Sequence, residues 1–190
     1  MKSKLIMLTL AISCAFASNV MALTKEEYKT QNDQVSADYK ASRDKCASLS
    51  ANAKDICNAE AKGAEKVAKA ELQAQYKPSP RNDLKVRNAR ADAAYDLAKE
   101  KCDDLNGNAK DVCVKEAKAA RTTAKADAKV TKVSTDANKD KSADVAGARK
   151  EATEDKSEAA YKVARERCDA LSGNVKDSCQ NDAKAKFGMK

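Results

Sequence analysis

Three copies of one motif, each with two cysteines, restrict the fold of this chain more than any other feature. Each copy reads Tyr-x6-Cys-x2-Leu-x2-Asn-x-Lys-Asp-x-Cys-x3-Ala-Lys, and the copies begin at Tyr39, Tyr95 and Tyr161. The spacing inside the motif does not vary, whereas the copies begin 56 and then 66 residues apart. This pattern is typical of a duplicated structural unit with connectors of variable length.

The two cysteines of each copy are too far apart in sequence to be joined on one helix. Residues eleven apart lie roughly 16 Å from each other along a helix axis, whereas a disulfide requires Cα atoms within about 7 Å. A turn between the cysteines resolves the conflict by forming a helical hairpin. In an exported chain we therefore expect three bonds within copies: Cys46–Cys57, Cys102–Cys113 and Cys168–Cys179. In the alternative, each motif is one continuous helix, and its cysteines pair with those of another motif.

The residues between the cysteines favour such a turn. Glycine suits the left-handed conformation that ends many helices, and asparagine is a preferred N-cap. The predicted turn and cap residues are Asn52, Gly107, Asn108, Gly173 and Asn174. The first copy has Ala51 where the others have glycine, so we expect its turn to be more strained.

Large apolar side chains are scarce in the part of the chain that follows residue 22. Leu, Ile, Val and Phe make up about one residue in nine there, a fraction typical of disordered chains. The abundant Ala, Lys and Glu are strong helix formers, and each disulfide-closed loop contributes about 3 kcal/mol. We therefore predict an all-α fold of three disulfide-closed antiparallel helical hairpins, loosely packed or extended.

The first 22 residues are predicted to be a secretory signal peptide. Two lysines precede an apolar stretch over residues 5–17, and Val20-Met21-Ala22 supplies small residues for cleavage near Ala22. The expected location is the periplasm. In the alternative, the run Ala11-Ile12-Ser13-Cys14 is a lipoprotein box, and Cys14 carries the lipid anchor.

The rest of the chain divides at its prolines and at one polar stretch. A helix is predicted to begin at Thr24, which can form a capping box with Glu27, and the prolines at 78 and 80 mark a linker. The predicted segments are hairpin 1 over 23–77, a linker over 78–82, hairpin 2 over 83–130, a polar connector or frayed helix over 131–141 and hairpin 3 over 142–190. No transmembrane segment is expected.

The residue types present do not favour an enzyme. The chain has no histidine, which is the commonest general base near neutral pH and the commonest transition-metal ligand. It has no Cys-x2-Cys pair and only five glycines, so neither a zinc site nor a phosphate-binding loop is predicted. We expect no catalytic residues, no metal and no cofactor.

The motif, together with the opening Ala-Leu-Thr-Lys-Glu-Glu-Tyr-Lys at residues 22–29, resembles small Ala/Lys-rich periplasmic proteins of Gram-negative bacteria, especially beta-proteobacteria. Such proteins are often labelled TolA-like or cell-envelope biogenesis proteins. The resemblance covers nearly all of the chain after the signal peptide. It implies a periplasmic location and the hairpin repeat, and it carries over no catalytic or binding residues.

Two functions follow as hypotheses. The first is a non-enzymatic periplasmic helical repeat protein that acts through its surface in cell-envelope maintenance or stress protection. The second is a basic adaptor that binds anionic envelope components such as lipopolysaccharide or acidic polymers. Without Lys2 and Lys4, the chain has 35 basic against 29 acidic residues, a net charge of +6. Nucleic acid is not expected as a partner of an exported protein, and the sequence does not predict the oligomeric state.

Overall fold

The computed structural model describes residues 23–136 and 141–189. The predicted signal peptide and Cys14 lie outside these residues. The described parts contain six α-helices and no strand, so the predicted all-α fold is confirmed. The helices are α1 (Lys25–Cys46), α2 (Ala51–Tyr76), α3 (Pro80–Cys102), α4 (Gly107–Thr135), α5 (Lys141–Cys168) and α6 (Gly173–Phe187).

The helices form an extended row that is one helix thick. Within the described ranges each helix packs only against its neighbours in the chain, and successive helices run antiparallel because short segments join them. Pairs α1–α2, α3–α4 and α5–α6 are the disulfide-closed hairpins, and α2–α3 and α4–α5 pack hairpin against hairpin. The three hairpin turns, residues 47–50, 103–106 and 169–172, therefore lie along one edge, which we call the tip edge.

Local sequence explains where helices α1 and α3 begin. The Thr24 hydroxyl accepts a hydrogen bond from the Glu27 backbone N–H at 3.2 Å, and the Thr24 backbone N–H donates to the Glu27 carboxylate at 2.8 Å. The predicted capping box is therefore present, and the backbone hydrogen bond lowers the pKa of Glu27. Helix α3 begins at Pro80, inside the predicted linker 78–82, because proline is well suited to the first helical turn and the Ser79 hydroxyl accepts from the Asn82 N–H at 3.2 Å.

The second connector is also shorter than the sequence predicted. Helix α4 continues to Thr135, so residues 131–135 of the predicted polar connector are helical. The serine and threonine hydroxyls in this last turn donate to backbone carbonyls one turn earlier, such as Ser134 to Thr131 at 2.9 Å. Serine and threonine side chains can therefore remain in a helix, because their hydroxyls form hydrogen bonds with its own backbone carbonyls.

The buried side chains are small. Alanines account for most of the buried apolar residues, and Leu72 is the only large aliphatic residue among those buried in the described chain. Cys46, Cys102 and Cys168 are at most 1% exposed. Small side chains allow close approach of helices: a Cβ atom built on Gly63 in α2 would lie 2.9 Å from the Cβ of Ala93 in α3. The core is thus a set of narrow seams between adjacent helices.

Candidate interaction surfaces

Each hairpin turn is closed by a disulfide just inside it. The bonds join Cys46–Cys57, Cys102–Cys113 and Cys168–Cys179, with Cα–Cα distances of 5.6, 5.7 and 5.7 Å. In every bond the first cysteine is buried at the end of one helix, and the second lies less deeply in the next. A covalent bond therefore closes each hairpin next to its turn.

The turns use the left-handed conformation at equivalent positions. Gly107 and Gly173 both have φ of +56°, and Ala51 has φ of +49°. Each of these residues is the first of the second helix, rather than the residue that follows the first helix, as the sequence suggested. Alanine is disfavoured in this conformation by roughly 1–2 kcal/mol, so the first turn carries the strain expected from its sequence.

The predicted role of the three asparagines as helix caps is wrong. The N-cap residues are Ser50, Asn106 and Ser172, and none of these makes a side-chain cap hydrogen bond. The motif asparagines are the second residues of the second helices, so they do not occupy the N-cap position. These asparagines are Asn52, Asn108 and Asn174.

Two of these asparagines join one hairpin to the next. The Asn52 amide donates to the Glu100 backbone carbonyl at 2.9 Å and to the Asp104 carboxylate at 2.7 Å. The Asn108 amide donates to the Glu166 carbonyl at 2.8 Å. Both carbonyls lie two residues before the first cysteine of the following copy. Asn174 belongs to the last copy and is exposed, so no following hairpin within the described chain can supply its acceptor.

The tip edge also carries leucines and ion pairs. Leu49, Leu105 and Leu171 are each about 40% exposed. Lys110 pairs with Asp103 at 3.0 Å, and the equivalent Lys176 pairs with Asp169 at 2.8 Å. The hydrogen bond from Lys176 lowers the pKa of Asp169. Because these groups are exposed, the pairs contribute little to the stability of the fold.

The row of helices has two broad faces, and the second helix of each hairpin gives them opposite charge. The side chains of residues two apart on a helix point in nearly opposite directions, about 200° apart. Neighbouring helices pack against the other two sides of α2 and of α4. In every copy an exposed acid is followed two residues later by an exposed lysine. These pairs are Glu60 and Lys62, Glu116 and Lys118, and Asp182 and Lys184.

The face with the lysines, which we call the basic face, also receives a cation from the first helix of each hairpin. Arg43 of α1, Lys62 of α2 and Lys99 of α3 line one groove, which three carboxylates also line: Asp55, Asp96 and Glu100. Arg165 occupies the position in α5 that is equivalent to Arg43 and Lys99. Each hairpin thus places two cations on this face near its tip.

On the opposite face, which we call the acidic face, charges of neighbouring hairpins are paired. Glu71 of α2 accepts from Arg90 of α3 at 2.6 Å. Between α4 and α5, ion pairs join Glu116 to Arg167 and Asp127 to Lys156. Glu71, Glu116 and Asp127 therefore help to hold adjacent hairpins together, whereas Glu60 and Asp182 of the same face are exposed.

One half-buried carboxylate links the helices of hairpin 2. Asp92 of α3 lies between Arg121 and Lys125 of α4, with Lys125 at 2.7 Å. Burial acts to raise the pKa of Asp92, but the hydrogen bonds and charges of Lys125 and Arg121 outweigh it and lower the pKa below its ordinary value. Arg121 also lies over the Tyr95 ring at 5.0 Å.

The described residues hold no group of three or more His, Cys, Asp or Glu side chains suited to a metal ion. Over the same ranges, no helix combines the length and hydropathy needed to span a bilayer. The chain matches no protein-family model, no curated protein and no solved structure. The candidate surfaces are therefore interpreted from their own geometry.

Two features of these surfaces were missed by sequence reasoning, although signals for both exist. Gly63 is a glycine inside a long helix of strong helix formers, and a residue that costs helix stability usually has a packing reason. The alternation of acid and lysine two residues apart recurs in all three copies. It becomes a two-faced charge pattern only when neighbours are known to flank the helix on both sides.

Proposed function

We propose that this chain is a non-enzymatic, periplasmic helical repeat protein that acts through its surface in maintaining or protecting the cell envelope. The observation that carries the proposal is the row of three disulfide-closed hairpins joined by contacts between hairpins. Structural disulfides persist in oxidising compartments outside the cytoplasm. The resemblance to periplasmic Ala/Lys-rich proteins supports the same location.

The architecture also supports a role in binding rather than catalysis. The helices bury mainly alanine and cysteine in narrow seams, and the charged side chains that remain lie on two broad faces and one edge. Repeat proteins of this kind commonly present extended surfaces to their partners. Envelope proteins are the partners that this proposal implies.

Deletion of the gene tests the proposal. We expect the deletion strain to admit more of a hydrophobic dye and to be more sensitive to detergent than its parent, and the wild-type gene to restore the barrier. A version with the six motif cysteines changed to serine should restore it only in part, because its hairpins lose their covalent closure. A deletion strain that matches its parent under detergent and oxidative stress would contradict the proposal. The intact mass of the envelope protein distinguishes cleavage near Ala22 from lipidation at Cys14.

A second candidate function is a basic adaptor for anionic envelope components. The observation that favours it is the set of exposed basic-face cations that form no ion pair within 4 Å in the described chain. These residues are Arg43, Lys62, Lys99, Lys118, Arg165 and Lys184. Loss of binding to purified lipopolysaccharide between low and moderate salt would support the adaptor, since exposed charges are screened beyond about 8 Å at 0.15 M salt.

A further inference from the structure

We infer that copies of this chain dock head to tail, with the outer face of α6 in one copy against the outer face of α1 in the next. The outer face of α6 carries Asn174 and Ala185, and that of α1 carries Asp44 and Ala37. Within the described ranges no helix packs on either face. The inference goes beyond both proposed functions and depends on neither. It rests on the two inner seams, α2–α3 and α4–α5, which join equivalent faces of neighbouring hairpins.

The hydrogen bond that joins neighbouring hairpins has an equivalent donor and an equivalent acceptor at the ends of the row. In the inner seams, the Asn52 and Asn108 amides donate to backbone carbonyls two residues before the first cysteine of the following copy. Asn174 is the equivalent donor on α6, and Asp44 carries the equivalent carbonyl on α1. Docking of α6 on α1 of a second copy therefore gives Asn174 the kind of acceptor that the other two asparagines have.

The closest approach between helices also has an equivalent at the ends. In the α2–α3 seam, a Cβ atom built on Gly63 would lie 2.9 Å from the Cβ of Ala93. The residues at these two positions are alanines in the α4–α5 seam, and they are Ala185 and Ala37 on the outer faces of α6 and α1. The distance between packed helices depends on the side chains at their contact, so α6 and α1 of two copies can approach as closely as the inner helices do.

Solvent exposure separates the faces that are covered from those that are not. At the positions of the asparagine, its acceptor and the two small residues, every residue of both inner seams is buried or half-buried. Asn174, Ala185, Asp44 and Ala37 are all exposed. The same positions are thus covered wherever another hairpin is adjacent, and the faces at the two ends remain accessible to a second copy.

Charge on the two end faces is complementary. In the α4–α5 seam, Glu116 of the second helix pairs with Arg167 of the first helix of the following copy. Asp182 of α6 and Lys45 of α1 occupy the equivalent positions, and both are exposed. Docking in the register of the inner seams would therefore bring opposite charges together, which favours that register over others.

The end seam is less apolar and shorter than the inner seams, so the association should be weak and reversible. In the α2–α3 seam, Ile56 and Leu97 are half-buried on the same faces as Asn52 and its acceptor. Ser178 and Ala41 take their places at the ends, and α6 ends at Phe187. Less apolar area is then removed from water. Because the two faces differ, the contact is heterologous and extends the row instead of closing a dimer.

Single cysteines test the docking in the chain that follows the predicted signal peptide. Ala37→Cys and Ala185→Cys each place one thiol on a face that is proposed to meet the other. Ala120→Cys is the matched control, because Ala120 is exposed on α4, in the middle of the row. The variants are purified separately, mixed in pairs under mild oxidation and followed on non-reducing gels. Circular dichroism checks that each variant remains helical.

We expect the mixture of Ala37→Cys with Ala185→Cys to form linked dimers roughly tenfold faster than either variant does with Ala120→Cys, because docking holds the two thiols within reach of each other. A chain that carries both substitutions should form a ladder of linked oligomers. Equal rates in all three mixtures would overturn the inference.

Sedimentation equilibrium measures the association without a cross-link. The mean mass of the wild-type chain should rise with concentration up to about 1 mM. Ala41→Leu with Ser178→Val restores the apolar character of the inner seams and should tighten the association about tenfold. A wild-type chain that stays monomeric while this variant associates would overturn the inference, since the end faces would then act as caps.

A charge exchange tests the register. Asp182→Lys should weaken the association about fivefold, because like charges would meet, and Asp182→Lys combined with Lys45→Asp should restore it. Wild-type association that neither substitution changes would place the contact on another surface and overturn the inference.

Discussion

Seams within hairpins and seams between hairpins are built differently in this protein. Within a hairpin, two helices are joined by a tight turn and a disulfide, such as Cys102–Cys113. Between hairpins there is no disulfide. Adjacent hairpins are joined by close helix packing at Gly63 and Ala93, by ion pairs, and by a hydrogen bond from a motif asparagine. The comparison shows that a chain with few large apolar residues can still form an extended body by combining covalent and polar links.

The largest expected effect separates the two kinds of seam by removing the covalent one. Cys102→Ala together with Cys113→Ala should lower the free energy of unfolding by about 3 kcal/mol, because a closed loop of about twelve residues becomes free in the unfolded chain. Guanidinium unfolding followed by circular dichroism measures the change. An unchanged midpoint would mean that noncovalent contacts alone hold this hairpin.

A pair of glycines tests how closely helices must approach between hairpins. Gly63→Ala should lower the free energy of unfolding by about 1 kcal/mol, since overpacking costs about 1–3 kcal/mol and exceeds the gain in helix propensity of about 1 kcal/mol. Gly147→Ala is the matched control, because nothing lies within 4 Å of its Cβ position. It should raise the free energy of unfolding by about 0.5–1 kcal/mol.

Thermal unfolding of the two glycine variants and of Gly63→Ala combined with Ala93→Gly completes this test. The second substitution removes the opposing methyl group and should recover the loss. If Gly63→Ala stabilised the protein as much as Gly147→Ala, the Gly63–Ala93 contact would not set the distance between α2 and α3.

The motif asparagines test the hydrogen bonds between hairpins. Asn108→Ala should cost about 1 kcal/mol, the usual net value of one hydrogen bond, because it removes the bond to the Glu166 carbonyl. Asn174→Ala should change stability by less than about 0.5 kcal/mol, since Asn174 lies in the last hairpin. Urea unfolding of the two variants compares them directly, and equal losses would indicate a role within the hairpin instead.

The turns give a smaller effect that is confined to the hairpin. Ala51→Gly should raise the free energy of unfolding by about 0.5–1 kcal/mol, because glycine adopts positive φ without steric cost. Gly107→Ala should lower it by about 1 kcal/mol, since space is open around its Cβ position and only the backbone resists. Differential scanning calorimetry should show opposite shifts in melting temperature; shifts of the same sign would contradict the left-handed turns.

The smallest effect is the pH dependence of the seam inside hairpin 2. The lowered pKa of Asp92 means that its contribution is fully present above the ordinary aspartate pKa of about 3.9 and is lost as pH falls through the lowered value. The wild-type chain should therefore melt higher than Asp92→Asn at pH 7, and the difference should shrink in acid. A difference that grows in acid would have the wrong sign.

The hairpins could be predicted from the sequence because covalent geometry leaves few choices. Cysteines eleven apart cannot be bridged on a continuous helix, and the glycines between them indicate where the chain turns. The position of Pro80 was harder to interpret, since proline is found both in linkers and in the first turn of a helix. The Ser79 cap decides between the two, and it is visible only in the structure.

The contacts between hairpins could not be predicted in the same way. The acceptor of Asn52 is a backbone carbonyl 48 residues away, and a main-chain group leaves no mark on the sequence. Asparagine near a helix start therefore predicts a cap, which is its commoner use. The basic face has a similar origin: Lys62 and Glu60 are visible in the sequence, but which sides of α2 stay free depends on how α1 and α3 pack.

The row of helices, in which each contacts only its chain neighbours, has a consequence for how such proteins can change in size. Duplication of one 56- or 66-residue cassette would lengthen the molecule by two helix widths without altering any existing seam. The length of the molecule then scales with the number of cassettes. Selection for a longer or shorter molecule can therefore act on the number of cassettes alone, while the residues inside each cassette stay the same.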